Sequence, residues 1–177
     1  MIKYFDFEKP IEAIDLKIID LSANEDNKNL KKIDFYNLEK NKLFKKIYSN
    51  LNPWQKVQVA RHPERPHTKN YINSIFEDFI YLAGDKKFAE DKAIIGGIGM
   101  INKQSFMIIG NEKGSTMETR IDHNFGMAKP EGYRKAQRLM LLAEKFNLPI
   151  VTFIGTAGAF PGKEAEERGQ SESIASS

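Results

Sequence analysis

Apolar residues recur along the chain at two different periods, and the change from one to the other marks its main division. From Pro10 to about Tyr48 the spacing is helical, with Ile11, Ile14, Ile18 and Leu21 on one face, then Leu38, Leu43, Phe44 and Ile47 on another. The polar stretch SANEDNKNLKK between them predicts a connection, so the two segments read as a helical hairpin. Lys42, Lys45 and Lys46 then fall on a solvated face, with partner binding as the alternative. Asn52 before Pro53 is a helix start and Arg61-His62-Pro63 its end; Thr68 is placed to cap a further helix running to about Leu82, closed by Gly84.

Beyond Gly84 the pattern shortens. AIIGGIGM and SFMIIG are β-prone runs separated by Ile101-Asn102-Lys103-Gln104, which predicts a hairpin. A strong helix follows from about Glu131 to Phe146, with Leu139, Met140, Leu142, Ala143 and Phe146 at helical spacing, stopped by Asn147 and Pro149. PIVTFI is apolar on both faces, as expected of a strand buried inside a sheet. Strand, helix, strand in this order predicts a parallel pair joined by a crossover. KEAEERGQSESIA predicts one more helix. The division is therefore a helical region at 1–83 and an α/β layer structure at 84–177.

Composition narrows the function classes. The 177 residues, 41% hydrophobic and 29% charged, suit an ordinary globular protein. Twenty-seven basic against 24 acidic residues leave a net charge of only +3, so no basic tract demands nucleic acid. The absence of cysteine excludes disulfides, thiolate metal sites and a cysteine nucleophile, and three scattered histidines leave little for a metal. MIKYFDFEKPIEAIDLKI alternates apolar and charged residues unlike a signal peptide, and no run reaches the roughly 20 apolar residues a bilayer needs. A soluble protein is expected.

Several motifs invite chemistry. Gly97-Ile98-Gly99 is followed by neither a third glycine nor a helix, so the dinucleotide fingerprint fails. Arg61, His62, Arg65, His67 and Lys69 can be read as a phosphate cradle or as a solvated turn around two prolines. His123 can be read as a base or as a surface-loop histidine, and Ser171 and Ser173 as polar helix surface. No nucleophile elbow, His-Glu-x-x-His or phosphate-binding Gly-x-x-x-x-Gly-Lys occurs.

The most distinctive stretch is FIGTAGAFPG, from Phe153 to Gly162, lying between a strand and a helix, where α/β folds place ligands. Glu164, Glu166 and Glu167 in the following turns would repel phosphate. Two backbone N–H groups suffice for partial negative charge on a carbonyl oxygen, so an oxyanion hole at Gly158 and Ala159 stands beside a plain structural turn as the two readings. Small residues would leave the approach to Gly158 unblocked.

FDFEKPI, ARHPERPHTKNYI, DKAIIGGIGMINKQSFMIIGNEKG, NFGMAKPEGYRKAQRLMLLAEKFNLPIVTFI and AEERGQSESIA together resemble, in order from about Lys3 to Ala175, the carboxyltransferase alpha subunits of multisubunit acetyl-CoA carboxylase. The resemblance implies a crotonase-like (ClpP/crotonase) fold of stacked β-β-α units, incomplete at its carboxyl end, with a helical amino-terminal extension. It implies a heterotetramer with carboxyltransferase beta subunits, working with biotin carboxylase in the full complex. The implied reaction carries a carboxyl group from carboxybiotin on a biotin carboxyl carrier protein to acetyl-CoA, giving malonyl-CoA for fatty acid synthesis. No metal on this chain, no nucleic acid and no membrane are expected, and the compartment is the cytoplasm or a plastid stroma. Gly158 and Ala159 fall on the family's first glycine-rich element and become backbone oxyanion donors.

Two departures matter. The family usually reads Asp-Thr-Pro-Gly-Ala-Tyr-Pro-Gly where this chain has Gly155-Thr156-Ala157-Gly158-Ala159-Phe160-Pro161-Gly162, so a less rigid loop is expected. The second glycine-rich element, Gly-Gly-Ser-Gly-Gly-Ala, does not occur, and a truncated subunit with an uncovered apolar strand and marginal solubility is expected. A noncatalytic assembly module binding the beta subunit is the alternative function.

Overall fold

The computed structural model describes residues 3–23 and 27–177. They form two compact units that separate between Arg65 and Pro66 rather than near Gly84. The difference has a packing cause: Ile72 and Phe76, expected among the helices, are buried with Ile95 and Ile108 of the sheet.

In the first unit, α1 (Lys9–Ser22) carries Pro10 in its first turn, where no intrahelical N–H is lost. The expected helical hairpin is seen as α1 packed on α2 (Asn27–Tyr48). Asp15 of α1 accepts the Tyr4 hydroxyl at 2.7 Å and the Lys40 ammonium, and Glu8 accepts the Tyr48 hydroxyl. Of the expected polar connection, 24–26 lie outside the described residues, and α2 already begins at Asn27. Lys42, Lys45 and Lys46 are exposed, as read. α3 (Pro53–Ala60) starts as expected: Asn52 Oδ1 accepts the Gln55 N–H at 2.8 Å and the Gln55 side chain accepts the Asn52 N–H at 2.9 Å. Such a reciprocal cap is worth about 1 kcal/mol.

The second unit is built on a four-stranded sheet in the order β1-β2-β3-β4. α4 (Thr68–Ile75) is shorter than the helix expected from Thr68 to Leu82. Phe76 turns extended and β1 (Glu77–Tyr81) follows, pairing antiparallel with β2 (Ile94–Ile101) across a bulge at Asp78, whose φ is +48°. β2 turns into β3 (Gln104–Asn111) through Asn102 and Lys103, with φ of +50° and +66°. Two positive torsions in a two-residue loop match the twist of the strands and fix the hairpin register. After α5 (Met117–Asp122), which the periodicity did not reveal, α6 (Pro130–Lys145) leads to β4 (Ile150–Phe153), parallel to β3 as expected.

Alternation along β2 and β3 divides the core. Ile94, Met107 and Ile109 face α6 and meet Leu139 and Ala143; Ile95 and Ile108 face Ile72 and Phe76. The glycines of β2 serve contact: a Cβ on Gly96 would lie 2.0 Å from a Leu139 methyl, and one on Gly97 would lie 2.2 Å from the Ile80 carbonyl oxygen.

Two expectations fail at the carboxyl end. β4 is an edge strand among the described residues, with Ile150 and Thr152 exposed: not the interior strand that its apolar pattern predicts, but the uncovered strand that the resemblance implies. The final helix is broken into α7 (Lys163–Glu167) and α8 (Gln170–Ala175) by Gly169, which adopts φ +79°. Ser173, read as surface, is fully buried and accepts from Arg134 Nη1 at 3.3 Å. No helix among the described residues is long and apolar enough to cross a membrane.

Buried charge ties α6 to its surroundings. Glu131 accepts both Nε and Nη2 of Arg168 at 3.2 and 3.1 Å, and Arg134 donates to Asp85 at 2.8 Å. Burial alone would push the Asp85 carboxyl up, but the N–H groups of Phe88 and Lys87 and the Arg134 guanidinium outweigh it and hold its pKa down to about 2. A depressed folded pKa contributes stability that is present above the unfolded value, near 4, and is lost as pH falls toward about 2. The Asp85→Asn chain should therefore melt below the parent at neutral pH, the gap closing between about pH 4 and pH 2. Circular dichroism melts across that window provide the check; a gap that stays constant would exclude this role for the carboxylate.

Candidate functional site

The segment after β4 is held at a few points and open elsewhere. The Gly155 N–H donates to Asn111 Oδ1 at 3.3 Å. The Thr156 hydroxyl lies 2.7 Å from the Gly126 carbonyl oxygen and 2.9 Å from that of Gly158, and accepts the Gly158 N–H at 3.1 Å. One hydroxyl proton serves the two carbonyls, so Thr156 folds the loop around itself as an ST-type turn. Further on, the Phe160 N–H donates to the Ala128 carbonyl at 3.0 Å, and Ala128 and Ala159 form an isolated parallel bridge.

These contacts decide which donors are available. Among the described residues, the Gly158 N–H is taken by Thr156, whereas the Ala159 N–H has no acceptor. The peptide joining them is trans, so its C=O and N–H point in opposite directions. Because Thr156 draws the Gly158 carbonyl inward, the Ala159 N–H points away from it. Of the two expected backbone donors, the structure leaves Ala159 free and engages Gly158.

The role of glycine at 158 also changes. A Cβ there would meet nothing within 4 Å, so space does not require it. Its φ of +150° does, since side-chain-bearing residues rarely adopt that torsion. Phe160 makes a contact that needs no hydroxyl: Lys129 Nζ sits 4.6 Å from its ring centroid. The same ammonium lies 3.8 Å from Glu164. α7 has only five residues with Glu164 and Glu166 in its first turn, in keeping with the argument against phosphate.

The platform behind the loop rests on charge that the sequence reading did not single out. Asp91, 3% exposed, accepts the Lys129 N–H at 2.7 Å, the Ala93 N–H at 2.9 Å and Asn124 Nδ2 at 3.1 Å. Burial pushes its carboxyl up from the ordinary value. Lys135, wholly buried on the inner face of α6, donates to Glu90 and to the Asp91 carbonyl at 2.8 Å, and burial lowers its pKa. Its place on the apolar stripe of α6 was the available signal.

The remaining candidates separate. His123 is buried rather than on a surface loop; its Nδ1 is 2.6 Å from the Thr119 carbonyl and its Nε2 3.4 Å from Lys69 Nζ. Of the basic cluster, Arg61, His62 and Arg65 belong to the first unit and His67 and Lys69 to the second. His67 Nδ1 and the Lys69 N–H both go to Glu112, at 3.1 and 2.9 Å, and His62 Nε2 goes to the Lys3 carbonyl at 2.8 Å. Burial pushes the Glu112 carboxyl up, but the N–H groups of Lys69 and Gly114 more than offset it and leave the pKa lowered. A cavity of about 250 Å³ is lined by Lys69, Glu90, Lys92, Asp122, His123 and Lys135. Its carboxylates are already paired, Asp122 with Lys92 at 2.6 Å and Glu90 with Lys135. No group of three or more metal-ligating side chains occurs among the described residues.

Comparison with known proteins bears on the chain as a whole. Residues 4–177 match the family described as acetyl co-enzyme A carboxylase carboxyltransferase-like. The acetyl-coenzyme A carboxylase carboxyl transferase subunit alpha of Zymomonas mobilis is 54% identical over all of this chain and 57% of its own length. Its namesakes in Paramagnetospirillum magneticum and Caulobacter vibrioides are 54% and 49% identical, over 97% and 98% of this chain and 55% and 56% of theirs. The chain thus spans somewhat over half the length of the curated relatives it matches. Among solved structures, transcarboxylase 12S, crystallised with hydrolysed methylmalonyl-coenzyme A, aligns with a TM-score of 0.51 and 20% identity over 64% of this chain and 20% of that one. A single-chain, multi-domain long-chain acyl-CoA carboxylase aligns at 0.51 and 21% over 67% and 11%. At that identity the likeness concerns the fold alone, which is crotonase-like.

Proposed function

This chain belongs to the acetyl co-enzyme A carboxylase carboxyltransferase-like family, and on that premise we propose that it supplies alpha-type residues for carboxyl transfer from carboxybiotin to acetyl-CoA. The observation that carries the reading is the free Ala159 N–H, aimed away from the loop that holds it. In the transfer, the acetyl methyl loses a proton and negative charge moves to an enolate oxygen. The enolate carbon then bonds to the carboxyl carbon as the C–N bond to the ureido nitrogen breaks, and that nitrogen leaves with the electron pair and takes up a proton.

A backbone N–H in a fixed direction can stabilise such an oxygen without bringing a charge of its own. The elements around it are suited to hold it still: Asn111 at the end of β3, Thr156 inside the loop and Ala128 before α6 each fix one point. The carboxyl donor is carried on a separate carrier protein, the beta subunit is the partner that completes the reaction, and no resident metal is invoked. That only one of the two expected donors is free favours, as a second reading, a noncatalytic module that binds the beta subunit.

The test compares two preparations with beta subunit, carboxybiotinylated carrier protein and acetyl-CoA, following malonyl-CoA. One contains this chain; the other contains it extended by the remaining region of the Zymomonas mobilis relative. Turnover by the extended chain is expected. If it makes no malonyl-CoA while the intact relative does, the catalytic reading fails and the assembly reading stands.

A further inference from the structure

Gln170 opens α8 and is 3% exposed. Its Nε2 donates to two carbonyl oxygens, those of Ala128 at 3.0 Å and Phe160 at 3.1 Å. The Ala128 carbonyl already accepts the Phe160 N–H, so one side-chain amide joins both ends of the segment against which the Ala159 N–H is set. Ala128 in turn is fixed from behind, because the next residue, Lys129, gives its N–H to buried Asp91.

This arrangement has a cost that shows what selects it. The Oε1 atom of Gln170 is buried and has no hydrogen-bond partner among the described residues. Leaving such an acceptor unpaired carries the desolvation penalty of the group with no bond to offset it. Turning the amide over would not help, since it would press Oε1 against two carbonyl oxygens. The fold accepts an orphaned oxygen in order to keep both Nε2 bonds, and departures of this kind concentrate where position matters more than stability.

We propose that Gln170 is a positioning residue that clamps Phe160 to Ala128 and thereby holds the Ala159 N–H in its outward direction. The clamp is a statement about geometry; its catalytic consequence rests on the transferase reading above. Gln170 does not touch a reacting atom.

Hydrogen exchange by NMR on the 177-residue chain tests the clamp directly. In the unaltered chain both Nε2 protons of Gln170 should be protected, and exchange of either at the solvent rate would overturn the proposal whether or not any variant folds. Gln170→Met keeps length and burial but offers no donor. Its Phe160 amide should exchange faster by roughly tenfold or more, as the loss of one to two ordinary hydrogen bonds predicts, while the Ile108 and Leu139 amides keep their rates. Unchanged Phe160 exchange would overturn the clamp.

In the extended chain with beta subunit and carboxybiotinylated carrier, Gln170→Met should lower kcat and leave KM for acetyl-CoA unchanged. Faster Phe160 exchange with parental kcat would overturn the positioning role. An extended parent chain without turnover would count against the transferase reading alone, and the exchange measurements would still decide the clamp.

Discussion

Replacing Ala159 with proline in the extended chain is expected to reduce malonyl-CoA formation by a factor of roughly 100 to 1,000, the usual effect of deleting one oxyanion donor. Proline removes the N–H and little else. Ala159 lies in an extended bridge to Ala128, where the fixed torsion of proline is admissible, and the ladder hydrogen bond comes from Phe160 rather than from Ala159. The residue before it is glycine, the least restricted by a following ring. Ala159→Ser keeps the donor and serves as the companion variant; it should retain most activity. Parental turnover by Ala159→Pro would mean that this N–H faces no developing charge, and the loop would revert to a structural turn.

A large stability effect is expected at Gly97. An alanine there would place its Cβ 2.2 Å from the Ile80 carbonyl oxygen and 2.6 Å from the Phe79 ring. Backbone on one side and an aromatic ring on the other leave no flexible end to yield. β1 must shift from β2, and an overpacking cost of roughly 3 kcal/mol is expected. For a unit of this size that corresponds to a fall of roughly 10 °C or more in Tm. Gly155→Ala is the control, because a Cβ at that position meets nothing within 4 Å. It should stay within about 0.5 kcal/mol of the parent. Urea titrations of both variants provide the measurement, and equal losses would show that contact at Gly97 is not what its glycine serves.

The contrast between those two glycines also shows what the sequence could and could not reveal. Elements set by local chemistry were legible: the Asn52-Pro53 cap, the Asn102-Lys103 turn, and the apolar spacing of α6. β1 was not, because Phe76, Phe79, Ile80 and Tyr81 continue from a helix with no glycine or proline between, and only pairing with β2 makes them a strand. The break at Gly169 was missed although a glycine marks it, because the acids and alanines around it favour helix.

At the site, the loop was visible as a run of small residues at a strand end. Which N–H it frees depends on the Thr156 hydroxyl, and why the loop keeps its shape depends on Gln170 and Asp91. The longest of those contacts join residues 38 and 42 positions apart, Asp91 with Lys129 and Gln170 with Ala128. Spacing within a motif carries no trace of them. The departures at Gly155 and Ala157 suggested a looser loop, and the structure shows side chains outside the glycine-rich motif supplying much of its restraint.

The edge position of β4 carries a last consequence. Among the described residues the loop hangs from a strand paired on one side only, so the sheet lends it little rigidity, and its shape depends on a few hydrogen bonds involving Asn111, Thr156, Phe160 and Gln170. A handful of hydrogen bonds opens at lower free energy than a packed core. Heat would therefore disorder the loop before it melts the sheet and helices that carry it.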